Sequence, residues 1–411
     1  MKTPLQKNSS TCDQESPSLF TRMGGLETCQ QLVAAFFRHV DDDPILLAIY
    51  GHHHRCAIEG LTRYLEQLFG GRPKYAEKGN YLSLIEAHTR FKIGQTERDA
   101  WLAAMCKALG EVPLDESLRA ALREFFAYSS TAIINRPAAQ PPSSNATKPP
   151  SNTPLEQEIE SRWQAQLQIE EIVSAVGSGD ASRVLALLAS DPVKTYLQSE
   201  KAIFASVLAV LGSGGNSVLL GYLREQIAQT PELLTLRCAI RGTLLHSAAA
   251  AGCPQFVTLL LEFGANPNAV DGAGHTPLYS ACNATEGRAD ERAEVVRLLA
   301  ESGADVNANH GVNKCAPLHT AARRGSVSAA SVLLEYGADI EARDSDGDTP
   351  LRRAINCGKP KAAEFLLSRG AELRSKGGGG LEAWQAARTA KMKQVLQNYL
   401  TQIEQEPPPE L

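Results

Sequence analysis

Four short segments of this chain repeat one another. "TLLHSA" at Thr243, "TPLYSA" at Thr276, "APLHTA" at Ala316 and "TPLRRA" at Thr349 open equivalent units at steps of 33, 40 and 33 residues. Each is followed by a Leu-Leu pair and then by "GANPNA", "GADVNA", "GADIEA" or "GAEL". A unit this short cannot bury its own apolar face, so neighbouring units must stack into one continuous core. Proline suits the first helical position, where its missing N–H is not needed. Gly264, Gly303, Gly337 and Gly370 are placed to end the second helix of each unit. The longer step carries "ATEGRADER" (284–292), read as an inserted loop between two helices.

A 33-residue period with this wording resembles the ankyrin repeat. Residues 241–373 carry the resemblance clearly. Residues 156–240 are read as divergent helical repeats, 374–403 as capping helices and 404–411 as a disordered tail. The resemblance implies an unknown protein partner, gripped by loop tips and inner helices. The tips fall at Asp271–His275, Asn309–Lys314 and Asp344–Asp348. Tyr279 and Arg352 replace the histidine that sister units keep at His246 and His319, which marks them either as repeat drift or as a surface altered for binding.

Ahead of the repeats, residues 1–17 lack periodicity and are expected to be disordered, and 18–136 read as a separate domain. Leu26, Cys29, Leu32, Val33, Phe36, Phe37 and Val40 fall on one helix face. Three further stripes follow: Ile58 to Phe69, closed by Gly70-Gly71; Trp101 to Leu109, entered by a Thr96/Asp99 capping box; and Leu118 to Ile133. Four amphipathic helices make one compact all-α domain. Between it and the repeats, 137–155 is Pro-rich and expected to be an extended spacer.

This first domain resembles the group II truncated haemoglobins. Gly24-Gly25, "YLEQLFGGRPKY" (64–75), His88 and "RFKIGQTERDAWL" (90–102) carry the resemblance. It implies a haem b cofactor with His88 as proximal iron ligand, and O2, or else NO or CO, as the molecule bound. His88 shares its helical side with Leu84 and Ile85, which fits a ligand aimed into an apolar cleft. Trp101 matches the family's pocket tryptophan, whose indole is a donor only, and Tyr50 matches its corner phenol. Ala57, Leu61 and Phe91 match further positions around the cofactor. One position departs: many members carry tyrosine where this chain has Phe37, so a main hydrogen-bond donor to ligand is missing.

The fold class expected is therefore all-α, a truncated globin followed by an ankyrin α-solenoid. A net charge of −5 without clustered Lys and Arg argues against nucleic acid as a partner. No apolar run is long enough for a membrane helix and the start lacks a signal peptide's apolar stretch, so a cytoplasmic protein is expected. Nine scattered cysteines without a C-x-x-C pair read as reduced, mostly buried thiols. "HHH" (52–54) is a loop run rather than a metal site, and "RDSDGDTP" (343–350) a turn rather than a calcium loop. Three functions stay open: a gas-binding globin, with NO dioxygenase or peroxidase-like chemistry among its options; a haem-based gas or redox sensor acting through the repeats; and a haem-free scaffold.

Overall fold

A computed structural model describes residues 19–71, 88, 91–135, 153–238, 242–284, 289–309, 311, 313–375, 377 and 382–405. Most of the expected spacer, residues 1–17 and 406–411 of the ends expected to be disordered, and most of "SKGGGG" (375–380) lie outside them; Glu404 and Gln405, expected in the tail, continue the last helix instead. The described residues are helical and form no β-strand, only one isolated bridge between Cys238 and Gly242. They divide into two compact units, the first running to Gln166 and the second beginning at Leu167.

The first unit contains α1 (Leu19–Arg22), α2 (Gly25–Asp41), α3 (Pro44–Tyr50), α4 (Arg55–Leu68), α5 (Gln95–Glu111) and α6 (Glu116–Ser129). α2 packs against α3, α4 and α5, and α5 against α6. Its predicted stripe is inward: Cys29, Leu32, Val33, Phe36 and Val40 are wholly buried, as are Leu65 of α4 and Met105 and Leu109 of α5. Gly70 takes φ +88° just after α4, a left-handed turn that other residues adopt only under strain. The expected Thr96/Asp99 capping box is not formed. α5 begins two residues earlier than a Thr96 cap would start it, and the Glu97 carboxylate accepts the Gly94 N–H at 2.8 Å. Asp99 instead accepts from Gln95 and Arg98.

A further helix, α7 (Pro154–Gly177), starts inside the first unit. Leu155, Ile159 and Trp163, four residues apart, are buried there, and Trp163 meets Phe125 edge to face at 5.7 Å. Glu158 accepts the Leu19 N–H at 3.3 Å. The part of α7 up to residue 166 thus belongs to the first unit rather than to the divergent repeats.

The second unit opens with α8 (Ala181–Leu188), α9 (Asp191–Ser199), α10 (Lys201–Ser213) and α11 (Ser217–Gln229). Four helix pairs follow: α12 (Leu244–Ala251) with α13 (Pro254–Glu262), α14 (Pro277–Asn283) with α15 (Ala289–Glu301), α16 (Pro317–Arg324) with α17 (Val327–Glu335), and α18 (Pro350–Asn356) with α19 (Pro360–Ser368). First helices stack on first helices and second on second, as a solenoid requires. The terminal glycines 264, 303, 337 and 370 have φ between +83° and +92°. In the 284–292 segment, residues 289–292 are the first turn of α15 rather than loop, because Asp290 and Glu291 favour a helix N-terminus. α20 (Ala390–Gln405) closes the unit.

Candidate functional site

The candidate site is built from the ends of α2, α3 and α5. Phe36 and Phe37 face inward from α2, the latter 3% exposed. Asp43 caps α3, accepting from Ile45 N and Leu46 N at 2.9 and 3.1 Å, and so fixes where Tyr50 ends that helix. The Phe37 and Tyr50 rings meet edge to face at 5.2 Å. Phe36 lies 5.4 Å from Trp101, and Trp101 lies 5.8 Å from Phe126. The Trp101 indole lies near the Tyr50 oxygen, with its N–H favouring the ionised phenol. Burial pushes the Tyr50 phenol up to about 12, more than the nearby indole lowers it, so at neutral pH Tyr50 keeps its proton and remains a donor.

Ala57 and Leu61 project from α4 and are only half-buried, unlike Leu65 one turn on. Trp101, Tyr50, His88 and Phe91 are half-buried too. These mainly apolar side chains sit beside a fully buried core while retaining exposed surface, which fits an apolar cleft wall. His88 has helical backbone, and its ring lies 6.3 Å from that of Phe91.

Asn135 holds this segment, and the sequence offered no sign of it. Its amide nitrogen donates to the carbonyls of His88 at 3.2 Å and Phe91 at 2.7 Å, while its side-chain oxygen accepts from Ile93 N at 2.9 Å. The backbone N–H of Asn135 closes the clamp on Ile93 O at 3.0 Å. An asparagine ahead of "RP" reads as a turn residue, so only the folded chain reveals it as a brace for His88.

The donor set suits haem: one imidazole on a braced segment, half-exposed apolar walls, and a phenol and an indole carrying N–H and O–H donors. Among the described residues no group of three or more His, Cys, Asp or Glu side chains could hold a bare metal ion. His52 and His53 are exposed, and only His54 turns inward. In "RDSDGDTP" Asp344 accepts the N–H groups of Asp346 and Asp348 at 3.0 Å each, and Arg353 pairs with all three carboxylates. It is a turn.

In the second unit His246 and His319 are buried and donate from Nε2 to the carbonyls of His275 and Asp348, each at 3.0 Å. Burial pushes both imidazoles down, keeping them neutral. Arg352, read as a possible binding residue, is 7% exposed and pairs with Asp348 at 2.8 Å. It serves the same junction by an ion pair, and the Asp344–Asp348 tip, with both end residues buried, is less available than the sequence implied. Tyr279 stacks on the His275 ring at 4.0 Å. A groove of about 500 Å³ runs between α11, α13 and α15, lined by Leu220, Arg224, Leu259 and Leu298 among others. It contains no residue of the first unit's site. Of the eight described cysteines, Cys29, Cys238, Cys253 and Cys282 are buried and none is paired.

Comparison with known proteins separates the two halves. Residues 18–135 match the family model described as bacterial-like globin, and residues 224–310 and 289–376 match the model for ankyrin repeats. The chain is 39% identical over 107 residues to ankyrin repeat and SOCS box protein 11 of Danio rerio, covering 26% of this chain and 34% of that protein. It is 36% identical over 114 residues to tyrosine-protein kinase HTK16 of Hydra vulgaris, covering 28% of this chain and 14% of the kinase. It thus spans about a third or less of the length of these relatives. Among the described residues no helix is long and apolar enough to cross a membrane.

Proposed function

Since this chain joins a bacterial-like globin domain to ankyrin repeats, we propose that it is a haem protein that binds O2, or NO or CO, and is tethered to a protein partner by its repeats. The observation that carries this reading is the donor pair Tyr50 and Trp101 within an aromatic wall, in the same unit as a histidine on a braced segment. Haem b, when bound, would supply an iron able to take one protein nitrogen and one diatomic ligand. His88 would give the nitrogen, with Asn135 holding its backbone. Trp101 would turn its N–H from the Tyr50 oxygen to the ligand, Tyr50 would offer its O–H, and Phe36, Phe37 and Leu61 would exclude bulk water. The repeats supply a stacked surface whose first-helix faces and loop tips meet another protein.

Titrating the purified full chain with haemin tests this. A Soret band saturating at one haem per chain is expected; a chain that stays colourless overturns it.

The missing donor at Phe37 has its own expected result. Phe37→Tyr places a hydroxyl beside Tyr50, and a hydrogen bond to a charged acceptor contributes roughly 1.5–3 kcal/mol, so O2 release should slow by about tenfold to a hundredfold. Stopped-flow displacement of O2 by CO measures it. An unchanged rate would place Phe37 away from the ligand.

A further inference from the structure

His54 is unlike its two neighbours. His52 and His53 are exposed, whereas the His54 side chain is 8% exposed and sits where α2 ends and α4 begins. Its Nε2 lies 2.7 Å from Oδ1 of Asp41, the last residue of α2. A carboxylate only accepts, so Nε2 carries a hydrogen, and the tautomer this selects has Nδ1 as a bare acceptor. That nitrogen is buried and has no hydrogen-bond partner in the structure. Nor does the side chain cap α4.

The ring of His54 lies 5.1 Å from that of Phe37, which in turn touches Tyr50. The unpartnered acceptor therefore belongs to the same aromatic cluster as the two candidate ligand donors. Leaving such an atom buried and unbonded is costly, and a solely structural histidine at this position would gain by exposure. What satisfies a bare imidazole nitrogen is a hydrogen-bond donor small enough for a crowded cluster.

We propose that His54, oriented by Asp41, is a ligand-side residue of the haem cavity that holds a small hydroxylic molecule, water in the resting protein, through Nδ1. Asp41 is a positioning residue, since its bond to Nε2 fixes which nitrogen faces the cavity. The held molecule must leave before a diatomic ligand binds, so His54 sets ligand access while Tyr50 and Trp101 set retention. This inference rests on the haem-globin reading.

The test uses the full chain loaded with haem. His54→Leu should remove the ferric absorption bands of a water ligand and speed CO association to the ferrous protein by about tenfold, the effect of releasing one well-ordered water. His54→Gln, whose amide oxygen can accept, should keep most of the wild-type spectrum. Asp41→Ala, at a 58% exposed side chain, should give a mixed ferric spectrum as the ring loses its orientation. Ferric spectra and CO association rates in His54→Leu equal to wild type, with haem still bound, would overturn the proposal and leave the globin reading intact. Should His54→Leu not fold, Asp41→Ala decides, and an unchanged spectrum there overturns the proposal. A wild-type chain that takes up no haem would instead remove the reading beneath it.

Discussion

His88→Gly is expected to shed haem more than about a hundredfold faster than the wild-type chain, and free imidazole is expected to restore the lost spectrum. Altering a group that merely supports a metal ligand costs 10- to 100-fold in affinity, so deleting the ligand itself should cost more. The glycine leaves a space in which imidazole can take the place of the missing ring, which separates loss of the nitrogen from loss of the fold. The histidine packed in the aromatic cluster, His54, is already committed through Nε2 to Asp41 and sits on a different segment, so it should not replace His88 without chain movement. The rate of haem transfer to an excess of a colourless haem acceptor, followed at the Soret band, measures the effect. A His88→Gly chain that keeps its haem and its spectrum would place the axial ligand elsewhere. Asn135→Ala is the graded companion: it keeps the imidazole but frees the carbonyls of His88 and Phe91, and a smaller acceleration, about tenfold, is expected.

The two architectures were legible in the sequence for different reasons. The repeats announce themselves because each unit must present the same small set of buried residues to its neighbours. Leu278, Leu318 and Leu351 recur at one position and are all buried. The globin half was legible as helix stripes, and Phe37, Tyr50 and Trp101 do converge. What the sequence concealed depends on partners distant along the chain. Asn135 braces residues some 44 to 47 positions away, and nothing local marks it. His54 looks like one of three equivalent loop histidines until Asp41, 13 residues earlier, turns it inward. The Thr96/Asp99 cap failed for a nearer reason: Glu97 reaches back to the Gly94 N–H and starts the helix sooner. Arg352 seemed a departure open to a partner, yet its guanidinium is consumed by Asp348, the same junction residue whose backbone carbonyl His319 holds.

Trp163 shows how far the first unit extends, and its truncation carries the largest stability effect expected for this chain. The match to the globin family model ends at residue 135, but Trp163 is 1% exposed, wedged edge to face against Phe125, which contacts Phe126, which contacts Trp101. Removing a fully buried indole leaves a cavity that surrounding side chains refill only in part, and such truncations cost about 3–5 kcal/mol. Trp163→Ala in the full chain should therefore raise amide hydrogen exchange in α6, around Ala121–Phe126, by at least about a hundredfold, since every 1.4 kcal/mol is a factor of ten. Exchange in α16, around Leu318–Ala322, should hold at the wild-type rate, because that helix draws its burial from the stacked repeats instead. Trp163→Phe, which keeps an aromatic edge for Phe125, should lie between. The opposite pattern, with α6 unchanged and the repeats loosened, would show that the start of α7 owes its stability to the second unit alone. If the expected pattern holds, a fragment cut at the family boundary exposes the face that Leu155, Ile159 and Trp163 cover, and should retain haem less firmly than one that continues through Gln166.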